Sequence, residues 1–344
     1  MIKYNRKITV SNHTHNIPAR LLLIGGTICL LVTLGISLAN GAANIPISTV
    51  LDAFRSFDKN NGHHLMVIDL RLPRALISAL VGAALSVAGA IMQGTTRNPM
   101  ADSGIMGINA GAGFAIALCF AFVPGITYGG LVLAAVSGAA TGALLIGGIS
   151  LSQRGGTTPM RMVLAGAAVS SLLASLSQGI SLSFDVGIDV LFWTVGGVAN
   201  VTWPQFYLLA PVISIALTVA ILLSPSISIL SMGYDVARGL GLNTTLIQLQ
   251  CMIVVLALAG ASVSAVGSVS FVGLIIPHLA RFIVGVDYRK IIPASGVLGA
   301  LLLMWADLCA RTIAPPFEIP LGVITSLIGV PFFLYLSSKT RRGL

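Results

Sequence analysis

Charge is what this chain has least of. Only 8% of its 344 residues are Asp, Glu, Lys or Arg, against 56% hydrophobic, and the mean hydropathy is +0.97. A soluble globular domain could not clothe its surface with so few ionised groups, so a polytopic membrane protein is indicated instead. Acidic residues number 10 against 19 basic ones, a net charge of +9. Such an excess can signal nucleic acid, but here Lys and Arg stand singly or in pairs at the ends of apolar runs, a pattern of membrane topology, and no nucleic acid is expected. Cysteine is sparse as well. Cys29, Cys119, Cys251 and Cys309 all fall within apolar runs and form no CxxC pair. Neither a disulfide framework nor a zinc site is expected of them, only packing.

Enzymatic signatures are missing too. The chain has no HExxH, no GxSxG, and no Lys that follows a Gly, so the phosphate-binding GxxxxGK[ST] loop is absent. No catalytic residue and no bound cofactor is therefore expected, and ATP would have to be used by partner subunits. His13, His15, His63, His64 and His278 lack Cys, Asp or Glu at ligand spacing and read as solvated loop residues rather than a metal site. Ionisable groups inside the apolar runs are few. Asp307 is foremost, four residues before Arg311, where an i,i+4 ion pair near a helix end is expected. This scarcity counts against a proton-coupled secondary transporter and against an intramembrane enzyme.

What the sequence does have is long hydrophobic runs. They lie at about 21–39, 75–92, 105–123, 129–150, 161–181, 205–223, 246–266, 270–285, 292–313 and 320–337, each near the roughly 20 residues that span a bilayer core. That makes about ten crossings, with a basic tail at 1–20, one membrane domain at 21–337 and a second basic tail at 338–344. An even count puts both termini on one side. With the termini inside, only Arg55, Lys59, Arg71, Arg74 and Arg311 of the 19 Lys and Arg fall outside, which supports a cytoplasmic location for both ends in the cell membrane.

The second run shows the local grammar. Pro73 is expected to open its helix, since the first position loses nothing by lacking an N–H. Gly82, Ala83, Ala84, Ser86, Ala88, Gly89 and Ala90 then put small side chains on nearly every face, predicting a buried helix with close neighbours. The polar elbow "QGTTRNPMADSG" ends it and caps the next. "IPISTVLDAF" has the spacing of a short amphipathic helix on the membrane surface, and the stretch around Asp185 and Asp189 is too short and polar to span. Ser224 to Asn243, "SPSISILSMGYDVARGLGLN", is the longest polar interruption on the inner side, a short helical pattern ending in Gly.

Here a resemblance enters. "ARGLGLN" resembles the cytoplasmic coupling segment of permeases in the iron-siderophore, haem and cobalamin family of ATP-driven importers. "LRLPR", "GAALSVAGAIMQGTTRNPMADSGIMGINAGAGF", "GSVSFVGLIIPHLAR", "WADLCAR" and "IPLGVITSLIGVPFFLYLS" are similar to its signatures in matching order. The likeness covers nearly the whole chain from about residue 20. Ser103 and Ser268 depart from it, standing where many members have Pro.

The resemblance implies an all-α membrane protein with the type II importer permease fold. It further implies a second permease subunit, identical or paralogous, two cytoplasmic ATPase subunits and an extracytoplasmic substrate-binding protein, all set in membrane lipid. An iron-hydroxamate siderophore is the implied substrate, with haem or cobalamin the alternative. Arg71, Arg74 and Arg311 match positions that face acidic residues of the binding protein. Arg238, Gly239, Leu240 and Gly241 match the ATPase-coupling turn, and Thr157, Thr158 and Pro159 the cytoplasmic gate. Gln93, Ser170, Ser171 and Gln178 are candidates to line the pathway.

Overall fold

The computed structural model describes residues 18–41, 43–102, 104, 107–151, 159–195, 197–199, 201–315 and 317–340. Most of the basic N-terminal tail, the last four residues of the C-terminal one, Ser103, Thr157 and Thr158 lie outside these. Among the described residues every regular element is a helix. In chain order the helices are α1 (Ala19–Ala39), α2 (Ile47–Arg55), α3 (Gly62–Leu65), α4 (Leu72–Thr96), α5 (Ile108–Phe122), α6 (Tyr128–Leu151) and α7 (Pro159–Ser183). They continue with α8 (Gly187–Val195), α9 (Trp203–Ser231), α10 (Tyr234–Gly239), α11 (Thr244–Val266), α12 (Val272–Val284), α13 (Tyr288–Thr312) and α14 (Leu321–Thr340). Among the described residues seven helical stretches are long and apolar enough to cross a membrane, and three shorter apolar ones, Ile108–Phe122, Val272–Val284 and Leu321–Tyr335, bring the number to the expected ten runs.

Helix α4 is the axis of the bundle. It packs against α9, α11, α12 and α13 and is the most enclosed of the spanning stretches. Lipid tails are as apolar as leucine, so helices in a bilayer associate by close packing and hydrogen bonds rather than by excluding water. The glycines make that closeness possible. A Cβ on Gly82 would strike the carbonyl of Gly299 in α13, and one on Gly89 would strike the carbonyl of Gly273 in α12. Between them, the hydroxyl of Ser86 donates to the Ser295 carbonyl of α13 at 2.7 Å. The same device joins α5 to α6, where Gly111 lies against the backbone of Gly138.

Three sequence expectations are corrected. Pro73 does not open its helix. Chain 62–96 is one continuous helical rod of 35 residues whose turn Met66–Arg71 is π-helical, and Pro73, having no N–H, sits where that wider turn ends. The run that seemed to stop before Ser224 continues as helix to Ser231 with Pro225 inside it. Finally, His64 is not a solvated loop residue. It is buried, its Nδ1 accepts the Asp58 N–H at 3.1 Å, and its ring stacks on Phe57. The amphipathic segment is α2, with Val50 and Ala53 turned into a small core shared with Leu38, Ala39, Ile45 and Val67.

Gly89→Ala is expected to lower the melting temperature of the detergent-solubilised chain, since an overpacked contact costs about 1–3 kcal/mol. Gly25→Ala, with nothing within 4 Å of the added methyl, should leave it unchanged.

Candidate functional site

At one end of the bundle three arginines converge. Arg71 comes from the π-helical turn, Arg74 from the first turn of α4 and Arg311 from the last turn of α13. All three are buried, and so is Asp307, whose exposure is 0%. Arg74 donates from Nε to Asp307 Oδ1 at 2.8 Å, and its two terminal nitrogens grip Glu318 bidentately at 2.8 and 2.9 Å. Arg311 reaches Asp307 Oδ2 from Nε at 3.6 Å, the i,i+4 pair foreseen from the spacing.

The remaining donors turn to the end of α1. Arg71 donates to the carbonyl of Leu38 at 2.7 Å and to that of Ala43, while Arg311 donates to the Ser37 carbonyl at 2.8 Å and to its hydroxyl at 2.5 Å. Carbonyls in the last turn of a helix have no intrahelical partner and carry the negative end of its dipole. Arg71 and Arg311 are therefore favoured by the C-terminus of α1. Sequence reading could not see this, because it needs two segments 28 to 274 residues apart to meet. Glu318 gave no signal either, being a lone acid in a proline-rich loop. It is the most open member, its side chain 40% exposed.

The opposite end holds the segment that the resemblance matches to ATPase coupling. Tyr234 opens α10, with the Arg97 guanidinium 4.7 Å above its ring, and its hydroxyl donates to the Thr95 carbonyl at 2.9 Å and accepts from Gln248 at 2.9 Å. Short α10 is thereby fastened to the end of α4 and the start of α11. Ala237 is its buried residue, whereas Leu240, just past its end, is 67% exposed. Gly241 takes φ +81°, a left-handed conformation that a side chain would strain, and Gly239 has open space around it. Nearby, Asp287 caps α13. Burial raises its carboxyl, but the Arg289 N–H, the Ser228 hydroxyl and the charges of Arg289 and Lys290 outweigh this and hold it below the usual range.

The pathway candidates separate. Gln93 is buried, donating to the carbonyls of Gly273 and Leu274 at 3.3 Å and accepting from Arg281 at 3.1 Å, so within this chain it ties α4 to α12. On α7, Ser170 is half-buried, whereas Ser171 and Gln178 are exposed. With Ser175 they fall at helical spacing on one outward stripe. Pro159 is the first residue of α7.

Buried ion pairs at one end, a fastened and protruding turn at the other and small-residue packing between them define a polytopic α-helical membrane permease. The chain belongs to the FecCD transport family, which matches residues 29–339. It is 48% identical to the iron(3+)-hydroxamate import system permease protein FhuB of Bacillus subtilis (strain 168), over 95% of this chain and 85% of that one. It is 39% identical to the Fe(3+)-citrate import system permease protein YfmD of the same organism, over 93% and 95%. A solved structure described as an inward-facing metal-chelate type ABC transporter matches with TM-score 0.80 at 27% identity, covering 93% of this chain and 99% of that one.

Removing the buried Asp307 carboxylate leaves Arg311 without its acidic partner and Arg74 with Glu318 alone. Asp307→Ala is expected to destabilise the chain by about 3–5 kcal/mol, read as lost thermal stability and lost membrane yield. Glu318→Ala, at an open position, should cost far less.

Proposed function

We propose that this chain is the permease subunit of an ATP-driven importer for a ferric siderophore of the hydroxamate type. The observation that carries the reading is the 48% identity to a hydroxamate permease along 95% of the chain. In this account the termini lie in the cytoplasm. Two permease subunits enclose a pathway between them, and the exposed stripe of Ser171, Ser175 and Gln178 faces it, since hydroxyl and amide groups are ill-suited to lipid. ATP is hydrolysed by separate subunits.

The turn Arg238, Gly239, Leu240 and Gly241 docks into those subunits. An exposed leucine on a rigidly fastened helix fits a groove in a soluble partner, and motion imparted there passes through Tyr234 to α4 and α11. At the other end, Arg71, Arg74 and Arg311 form the ground on which the binding protein docks. Glu318 is there the carboxylate that a carboxylate of the partner displaces from Arg74, because a guanidinium fork takes either bidentately.

Cells lacking the chain should lose growth on ferric hydroxamates as sole iron source while keeping growth on ferric citrate, and unimpaired hydroxamate growth in a strain without a second such system overturns the reading. For the coupling turn, Leu240→Asp and Gly239→Trp should leave membrane insertion intact but lower uptake at least about tenfold. The open surroundings of Gly239 mean that no internal clash confuses the result.

A further inference from the structure

A cavity of about 680 Å³ opens beside α14, between that helix, the end of α8 and the connection from α11 to α12. Its size falls within the range of small-molecule sites, roughly 300–1,000 Å³. Among the described residues its polar side chains are all hydroxyls, those of Thr194, Ser268, Ser270 and Ser326, set among apolar groups such as Leu327 and Val330. No ionised side chain of the described residues lines it.

These hydroxyls are unlike most others in the bundle. Ser78, Ser181, Ser262 and Thr312 each donate to a carbonyl four residues earlier, which satisfies them within their own helix. Ser268 is held from outside, accepting from Asn109 Nδ2 at 3.2 Å, while its backbone N–H donates to the Thr194 carbonyl at 3.3 Å. Among the described residues the hydroxyls of Thr194, Ser270 and Ser326 have no partner, and they face the open cavity. Pro331 adds to the set, since it has no N–H to give the Leu327 carbonyl at the cavity wall. The lining therefore offers several free hydrogen-bonding groups and no charge.

We propose that this cavity is a selective station for an electrically neutral metal chelate, which it grips by hydrogen bonds to the ligand's outer amide and carbonyl groups. The proposal rests on the importer reading above and adds the property by which the permease itself discriminates. Three hydroxamates, each carrying one negative charge, cancel the charge of iron(III). Three catecholates or a citrate shell leave the complex anionic. An anion entering a site without a counter-charge loses hydration that hydroxyls only partly replace, whereas a neutral complex loses little.

The test uses the assembled transporter in vesicles, with its binding protein saturated by either a neutral ferric trihydroxamate or the same chelate bearing one added carboxylate. Saturation removes the binding protein's own preference from the comparison. Wild type is expected to move the neutral chelate at least about tenfold faster. Ser326→Lys should narrow that ratio by accelerating the anionic chelate. Thr194→Val with Ser326→Ala should slow the neutral one severalfold while binding-protein-stimulated ATP hydrolysis stays normal, which shows that the complex has assembled. Equal wild-type rates for the two chelates, or cavity substitutions that leave the ratio unmoved, overturn the inference alone. If Ser326→Cys in the assembled transporter is closed to a small polar thiol reagent, the cavity is filled by a second copy and the inference also falls. A wild-type transporter that moves neither chelate overturns the importer reading and the inference with it.

Discussion

Backbone meets backbone where α4 crosses α13 and α12, and the rest of the bundle is arranged around those two crossings. Gly82 against Gly299 and Gly89 against Gly273 leave no room for a single methyl. In a bilayer, attraction between helices falls off steeply once the surfaces part, because lipid replaces the lost contacts at little penalty. Holding α4 that close fixes where α12 begins, and with it the connection from α11 that bears Ser268 and Ser270. It also places Gln93 on the Gly273 and Leu274 carbonyls and within reach of Arg281.

The two ends of α4 are then secured differently. At one end the arginines and Asp307 make a buried network whose partners come from α1, α13 and the loop before α14. Buried ion pairs add little net stability but penalise alternatives strongly, since any displaced member is left unpaired. That end is accordingly a fixed frame with one open member, Glu318. At the other end Arg97 leaves the helix in a left-handed conformation, φ 53°, and covers Tyr234. An interaction of this kind is weaker and more exposed than a buried ion pair.

Much of this was legible in the chain. Ten apolar runs, the small-residue character of α4, the short amphipathic helix α2 and the Asp307–Arg311 pair follow from composition and spacing. Other features escaped for physical reasons. A π-helical turn has no hydropathy signature, so Pro73 looked like a start. The polar residues after Leu223 looked like a loop, yet the helix runs on to Ser231, with the hydroxyls of Ser224 and Ser231 donating to carbonyls three residues earlier. The placement of Arg71 and Arg311 depends on the end of a helix far away in sequence, and the hydroxyl-lined cavity is assembled from three separate segments.

The central claim is that substrate movement through this chain is driven by ATP hydrolysed on other subunits. Uptake of radioiron as ferric hydroxamate into vesicles that carry the assembled complex tests it most directly, with ATP supplied or withheld and with the proton gradient intact or collapsed. The account predicts uptake that requires ATP and both partner components and that persists when an uncoupler removes the gradient. Uptake by the permease alone, without ATPase subunits, that stops on adding the uncoupler would contradict it.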